Sequence, residues 1–195
     1  MRCRSPKIRF NLSRSPLVML GLVATLWLCG CGLSEVEKYY PLGAGYNWTY
    51  ETTYDDPEFP PKRSTDMIVE RKWNDYHFDN GLVLSKTHLG LLTREAYYLL
   101  QGPLRVGHKW GAGHIEVEIT AVNKRVTVPA GVFDDCLTTE FRAVRQGVTF
   151  ITLTDYCRDV GPAAYELYRQ EPGNERRMLQ RSVLLAFGYG EDLKQ

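Results

Sequence analysis

Beyond Gly30 the chain has no long apolar run, no block of basic residues, no internal repeat and no low-complexity tract. The first absence leaves no second segment of the roughly 20 apolar residues that a spanning helix needs. The second argues against nucleic acid as the main partner, because phosphate binding needs clustered Lys and Arg. Catalytic signatures are missing too. There is no Cys-x-x-Cys, no His-x-x-x-His, no Gly-x-Ser-x-Gly, no P-loop and no dinucleotide fingerprint. Four histidines are present, His77, His88, His108 and His114. His108 and His114 could share a metal only if the loop between them folds back, and surface or satisfied loop histidines are the plainer expectation. Cysteine is scarce, with five in 195 residues. Acidic residues are absent before Cys31, where Arg2, Arg4, Lys7, Arg9 and Arg14 lie. Taking those five from 24 basic residues leaves 19 against 23 acids, so the rest of the chain carries −4.

What the N-terminus does contain is an address. A basic front precedes Leu17–Leu28, the apolar stretch LVMLGLVATLWL. That stretch is too short to span and has signal-peptide proportions. Leu28-Cys29-Gly30-Cys31 resembles the lipobox of bacterial lipoproteins, a Leu and two small residues before a Cys. The chemistry fits Cys31, whose thiol can be alkylated by a diacylglyceryl group, while small residues give a peptidase access to the bond before it. Cys29 is a poor candidate, since Leu28 would then occupy the cleavage bond. An uncleaved anchor and an ordinary secretory signal are the alternatives. The expected organisation is a signal peptide over 1–30, a short polar tether over 31–40 and a β-rich domain over 41–195. Two or more acyl chains anchor stably, at about 0.8 kcal/mol per buried methylene. Gly32-Leu33-Ser34 follows Cys31. In the outer-membrane lipoproteins that this signal resembles, an Asp there marks inner-membrane retention. Its absence implies the outer membrane, periplasmic face, if the cell is Gram-negative.

The remainder reads as strands. Tyr46, Trp48, Tyr50 and Tyr54 alternate with polar residues, the period of a half-buried strand. Thr65–Trp73 is a second strand, and Asp79-Asn80-Gly81 is a turn between Tyr76–Phe78 and Leu82–Leu84. Leu91–Leu100 stays open between strand and helical turn. Ile115, Val117, Ile119 and Ala121 alternate with Glu116, Glu118 and Thr120, and Pro129-Ala130-Gly131 ends the ladder. Phe133–Arg145, Val148–Cys157, Ala163–Arg169 and Arg176–Phe187 complete a set of about nine or ten strands. With no long helices between them, a parallel βαβ sheet is excluded. The expected fold is all-β, a single antiparallel, strongly curved sheet or open barrel, which hides its edges. A signal-peptide helix would precede it.

Cys136 and Cys157 are expected to form a disulfide. Export sends them to an oxidising compartment, and they are the thiols left in the domain once Cys31 is acylated. If Gln146-Gly147 is a two-residue hairpin loop, Arg145 faces Val148, and counting outward in step brings Cys136 opposite Cys157. Such a non-hydrogen-bonded pair has Cα atoms about 4.5 Å apart, which a disulfide can bridge. A three-residue loop with a bulge would instead put the two on opposite faces.

Four phrases carry a wider resemblance. They are Tyr40-Pro41-Leu42-Gly43-Ala44-Gly45-Tyr46-Asn47-Trp48, Pro103–Trp110, Val126–Phe133 and Tyr156-Cys157-Arg158-Asp159-Val160-Gly161. Together they resemble a group of uncharacterised bacterial lipoproteins with a PL-x-x-G-x-x-W phrase, a VPAG-x-F corner and a GVG turn. The last motif departs at Pro162. The resemblance implies architecture and address rather than chemistry, and a shape similar to half-barrels that carry lipids or lipoproteins across the periplasm. Read from the residues alone, Trp48 and Trp110 follow turn glycines at strand starts and should be large buried anchors closing the barrel end, with ligand stacking as the alternative. Glu116 and Glu118 should sit on a solvated face rather than form a carboxylate pair. Asp55-Asp56 and Asp134-Asp135 read as turns.

These features predict a protein that is not an enzyme and needs no cofactor or metal. The expected partners are the membrane, through Cys31, and an apolar ligand or an envelope protein. The leading expectation is a binding or carrier module whose curved sheet holds an apolar ligand or peptide. The alternative is a structural lipoprotein docking a larger envelope complex.

Overall fold

The computed structural model describes residues 35–190. The expected signal helix and Cys31 lie outside the described residues. A short 3-10 helix, Glu35–Lys38, leads into twelve strands. These are β1 (Tyr46–Tyr54), β2 (Lys62–Lys72), β3 (Asp75–Phe78), β4 (Val83–Lys86), β5 (Gly90–Thr93) and β6 (Tyr98–Gln101), then β7 (Lys109–Ala112), β8 (Ile115–Val128), β9 (Gly131–Arg145), β10 (Val148–Cys157), β11 (Gly161–Gln170) and β12 (Arg177–Tyr189). The expected all-β fold is what the chain adopts: one antiparallel sheet, nearly closed into a barrel, with no α-helix among the described residues.

Each strand pairs with the next in sequence, and β12 pairs with β1. The exception is β6 and β7, which form the two edges of the sheet. There the ring closes without a ladder. Trp110 Nε1–H donates to Tyr98 O at 2.7 Å across the seam, and the Tyr97 and Phe141 rings meet behind it at 5.6 Å.

The strand count exceeds the expected nine or ten because β5, β6 and β7 have four residues each, too few to display a period. Leu91–Leu100 resolves as the β5–β6 hairpin rather than a helical turn. Trp73, expected at the end of a strand, turns out of β2 with φ 58°. Asp134-Asp135, expected as a turn, lies inside β9 at the register shift between Lys124 and Val126 of β8, and Asp135 has φ 57°. The extra residue of a bulge lets the strand bend there. Beyond that bend, the β8–β9 arm leans on β12, where Ala130 N–H donates to Leu184 O at 3.0 Å and Phe133 meets Phe187 edge-on.

The hairpin of β9 and β10 has the expected register. Gln146 and Gly147 both have positive φ, Arg145 faces Val148, and Cys136 faces Cys157. The two cysteines form a disulfide with Cα atoms 4.0 Å apart. Both are buried among Val126, Val128 and Ala164. Alternation places Cys157 on the face opposite Tyr156.

Candidate functional site: the barrel interior

Strand parity builds the interior. On β9 the residues Leu137, Thr139, Phe141 and Ala143 point inward, and their partners on β10 are Tyr156, Thr154, Thr152 and Phe150. Val117 and Ile119 of β8 and Tyr165 and Leu167 of β11 continue the same face.

One end of the barrel is plugged. The 3-10 helix and the two residues after it, expected as a polar tether, are built into the core: Val36, Tyr39 and Tyr40 are buried. This segment is tied down on both sides. Glu37 pairs with Lys86 at 2.5 Å beside β5. On the other side, Asp159 N–H donates to Lys38 O at 2.6 Å, and Tyr39 Oη–H donates to Asp135 Oδ1 at 2.6 Å. Arg158 Nε grips the other oxygen of Asp135. That tyrosine bond and the Arg158 charge hold the Asp135 carboxyl below its ordinary pKa, while burial pushes the Tyr39 phenol up to about 12. Above the plug lie Trp48, Tyr40 and Tyr156, with Tyr40–Trp48 centroids 5.3 Å apart. Trp48 Nε1–H donates to Val160 O at 2.7 Å, so Trp48 is the barrel-closing anchor expected. Trp110 is not: it is half-buried and pins the seam.

Behind the seam a cavity of about 250 Å³ remains. Its walls are Leu82, Leu99, Val117 and Phe141, and its floor is Tyr40, Tyr156 and Tyr165. A wider space of about 560 Å³ shares Tyr97, Phe141 and Thr152 with it and reaches His114 and Arg145 at the opposite end of the barrel. The two adjoin along these shared walls as a trough that runs from the plug towards the opposite end of the barrel.

The floor is polar but uncharged. Tyr165 Oη–H donates to Tyr50 Oη at 3.0 Å, and Tyr50 Oη–H donates to Pro162 O at 2.9 Å. Burial pushes the phenol pKa values of Tyr40, Tyr50, Tyr156 and Tyr165 well above the ordinary value. At neutral pH these groups stay protonated. Asp66 is the carboxylate on this lining. Burial raises its pKa, Asp79 adds to the rise, and the 2.9 Å bond from Asn80 Nδ2 opposes it. Chemically, the trough offers an apolar body, hydroxyls at its base and one poorly solvated carboxyl.

The other residues singled out from the sequence lie elsewhere. Glu116 and Glu118 share the Nζ of Lys109, at 3.3 and 3.0 Å, on a solvated face. His108 packs on Trp110 at 5.4 Å. His114 sits at the tip of the β7–β8 hairpin, so the two histidines are separated by the hairpin's length and do not meet. Among the described residues no cluster of His, Cys, Asp and Glu could hold a metal ion. The cavity residues Asp66, Tyr97, Leu99 and Pro162 had no signal in the sequence. Only the alternation through Val117 and Ile119 points towards this face.

No protein-family model matches the chain, and no curated protein matches it significantly. Two solved structures are similar. One, from Bacteroides fragilis NCTC 9343, is provisionally named an exported protein with a YmcC-like fold. It has a TM-score of 0.47 and 13% identity, with 76% of this chain and 97% of that chain covered. The other, from Parabacteroides distasonis ATCC 8503, is provisionally named a lipoprotein. It has a TM-score of 0.42 and 13% identity, with 77% and 98% covered.

Proposed function

We propose that this chain is a membrane-anchored lipoprotein of the bacterial cell envelope and a non-catalytic binding or carrier module. Its ligand is a small apolar molecule held inside the barrel. The observation that carries this reading is the trough, with its aliphatic and aromatic walls and its floor of protonated tyrosines. A filled core would have favoured a purely structural role. Pockets for small molecules are concave and mostly apolar, with a few placed polar groups, and this interior has that make-up. The anchor is the diacylglyceryl-modified Cys31, in the outer membrane on the signal's logic.

Two experiments test the reading separately. Labelled palmitate should enter the wild type and not Cys31→Ser, and equal labelling of both would end the anchor. A small apolar fluorescent probe, 1-anilinonaphthalene-8-sulfonate, should bind the folded protein with one site. Binding should drop at least tenfold in Val117→Trp, which fills the trough. A wild type that neither binds the probe nor yields a co-purifying lipid by native mass spectrometry would end the carrier reading. A stable protein partner in that spectrum would favour the assembly role instead.

A further inference from the structure

Three strand connections at the plugged end each expose one apolar side chain. Trp73, after β2, is 94% exposed, Val106, between β6 and β7, is 58% exposed, and Leu89, between β4 and β5, is 41% exposed. The connections are bound to one another. Lys86 N–H donates to Asn74 O at 2.7 Å, and Gly102 N–H donates to Leu89 O at 2.9 Å. Isolated exposed apolar residues need no explanation. Three on adjoining tips, one of them a nearly bare tryptophan, form a surface.

The charges on these tips have one sign. Segments 71–74, 86–89 and 102–109 contain Arg71, Lys72, Lys86, Arg105 and Lys109 and no acid. Carboxylates pair with three of them: Glu70 with Lys72, Glu37 with Lys86, and Glu116 and Glu118 with Lys109. Asp75 accepts from Ser85 at 2.6 Å. Arg71 lies over the Tyr76 ring and donates to Trp73 O. A tryptophan flanked by Arg and Lys at a protruding tip is the composition that settles at a bilayer–water interface, and basic residues favour anionic lipid.

Chain length selects the occupant. Cys31 lies four residues before Glu35, a reach of at most about 14 Å. The 3-10 helix that follows is fixed to this same end. Glu37 pairs with Lys86, and Val36 Cγ2 lies 3.9 Å from the position a Cβ on Gly102 would take. Acyl chains on Cys31 would therefore enter the bilayer beside these tips.

The geometry points to a second membrane contact: the tips bearing Trp73, Leu89 and Val106 enter the headgroup layer of the phospholipid leaflet that holds the Cys31 acyl chains. This rests on the reading of Cys31 as lipidated. The acyl chains alone anchor stably, so what the second contact adds is a fixed orientation of the domain on the membrane.

The test uses the mature protein purified from membranes and placed in phosphatidylglycerol-containing vesicles with brominated acyl chains. Its intact mass reports acylation independently. Brominated lipid should quench the tryptophan emission, and acrylamide quenching should fall several-fold relative to protein in lipid-free buffer. Both effects should vanish in Trp73→Phe, a change at an exposed position that leaves the fold alone. Acylated protein whose Trp73 stays as open to acrylamide as before would overturn the contact while leaving the anchor intact. Protein without acyl chains would end the Cys31 reading alone. Added to the same vesicles, it should still show Trp73-dependent quenching, and its failure to do so would overturn the contact.

Discussion

Gly161 has little freedom to change. It has φ +99°, and a Cβ there would lie 2.7 Å from Trp48 Nε1, the atom that donates to Val160 O. Gly161→Ala therefore combines a left-handed backbone, costing about 1–2 kcal/mol for a residue with a Cβ, with overpacking of about 1–3 kcal/mol. Gly107 has φ +79° but open space around it. Urea denaturation should show Gly161→Ala losing about 3 kcal/mol and Gly107→Ala roughly half that or less. Equal losses would mean that the Trp48 contact adds nothing. The sequence marked both glycines as turn residues. It could not distinguish them, because Trp48 reaches Gly161 from β1, on the other side of β12 and far away in sequence.

Between strands, what was legible depended on how local the determinant is. The Cys136–Cys157 pairing followed from Gln146-Gly147, since a two-residue loop with both φ positive sets the register of everything behind it. Asp135 was misread as a turn because its conformation answers to Tyr39 and Arg158, neither of them its neighbour in sequence. Residues 35–40 read as polar because Glu35, Glu37 and Lys38 dominate the composition, while Val36, Tyr39 and Tyr40 are buried by strands far along the chain. The disulfide closes a loop with a separation of 21 residues and should contribute about 3 kcal/mol by the loop-entropy relation. The double variant Cys136→Ala/Cys157→Ala should lower the urea midpoint accordingly. Thiol titration of the unfolded, unreduced domain should find neither cysteine reactive, and two reactive thiols would contradict the bond.

Over the whole molecule, the tyrosines tie stability to alkaline pH. In the unfolded chain they ionise near pH 10. In the fold, burial holds Tyr39 and Tyr46 protonated to about 12 and pushes Tyr40, Tyr50, Tyr156 and Tyr165 upward as well. Above pH 10 the unfolded state has therefore lost protons that the folded state keeps, so stability falls as pH rises. Unfolding free energy should be nearly flat from pH 7 to 9 as far as these groups contribute, then drop through pH 10–12. Tyrosinate absorbance should rise together with unfolding. Ionisation of all the tyrosines near pH 10 with the fold intact would show that the floor is wetter than the burial implies.

The unpaired seam decides where the barrel widens most easily. Everywhere else on the ring, widening the barrel means breaking a ladder of backbone hydrogen bonds. Between β6 and β7 it means releasing the Trp110 indole from Tyr98 O and parting Tyr97 from Phe141. Leu99 on one side of that line and Val117 on the other are walls of the cavity itself. The ring is therefore weakest along this line, held by one indole hydrogen bond and one ring contact, while the disulfide-stapled half of the sheet is tied in register.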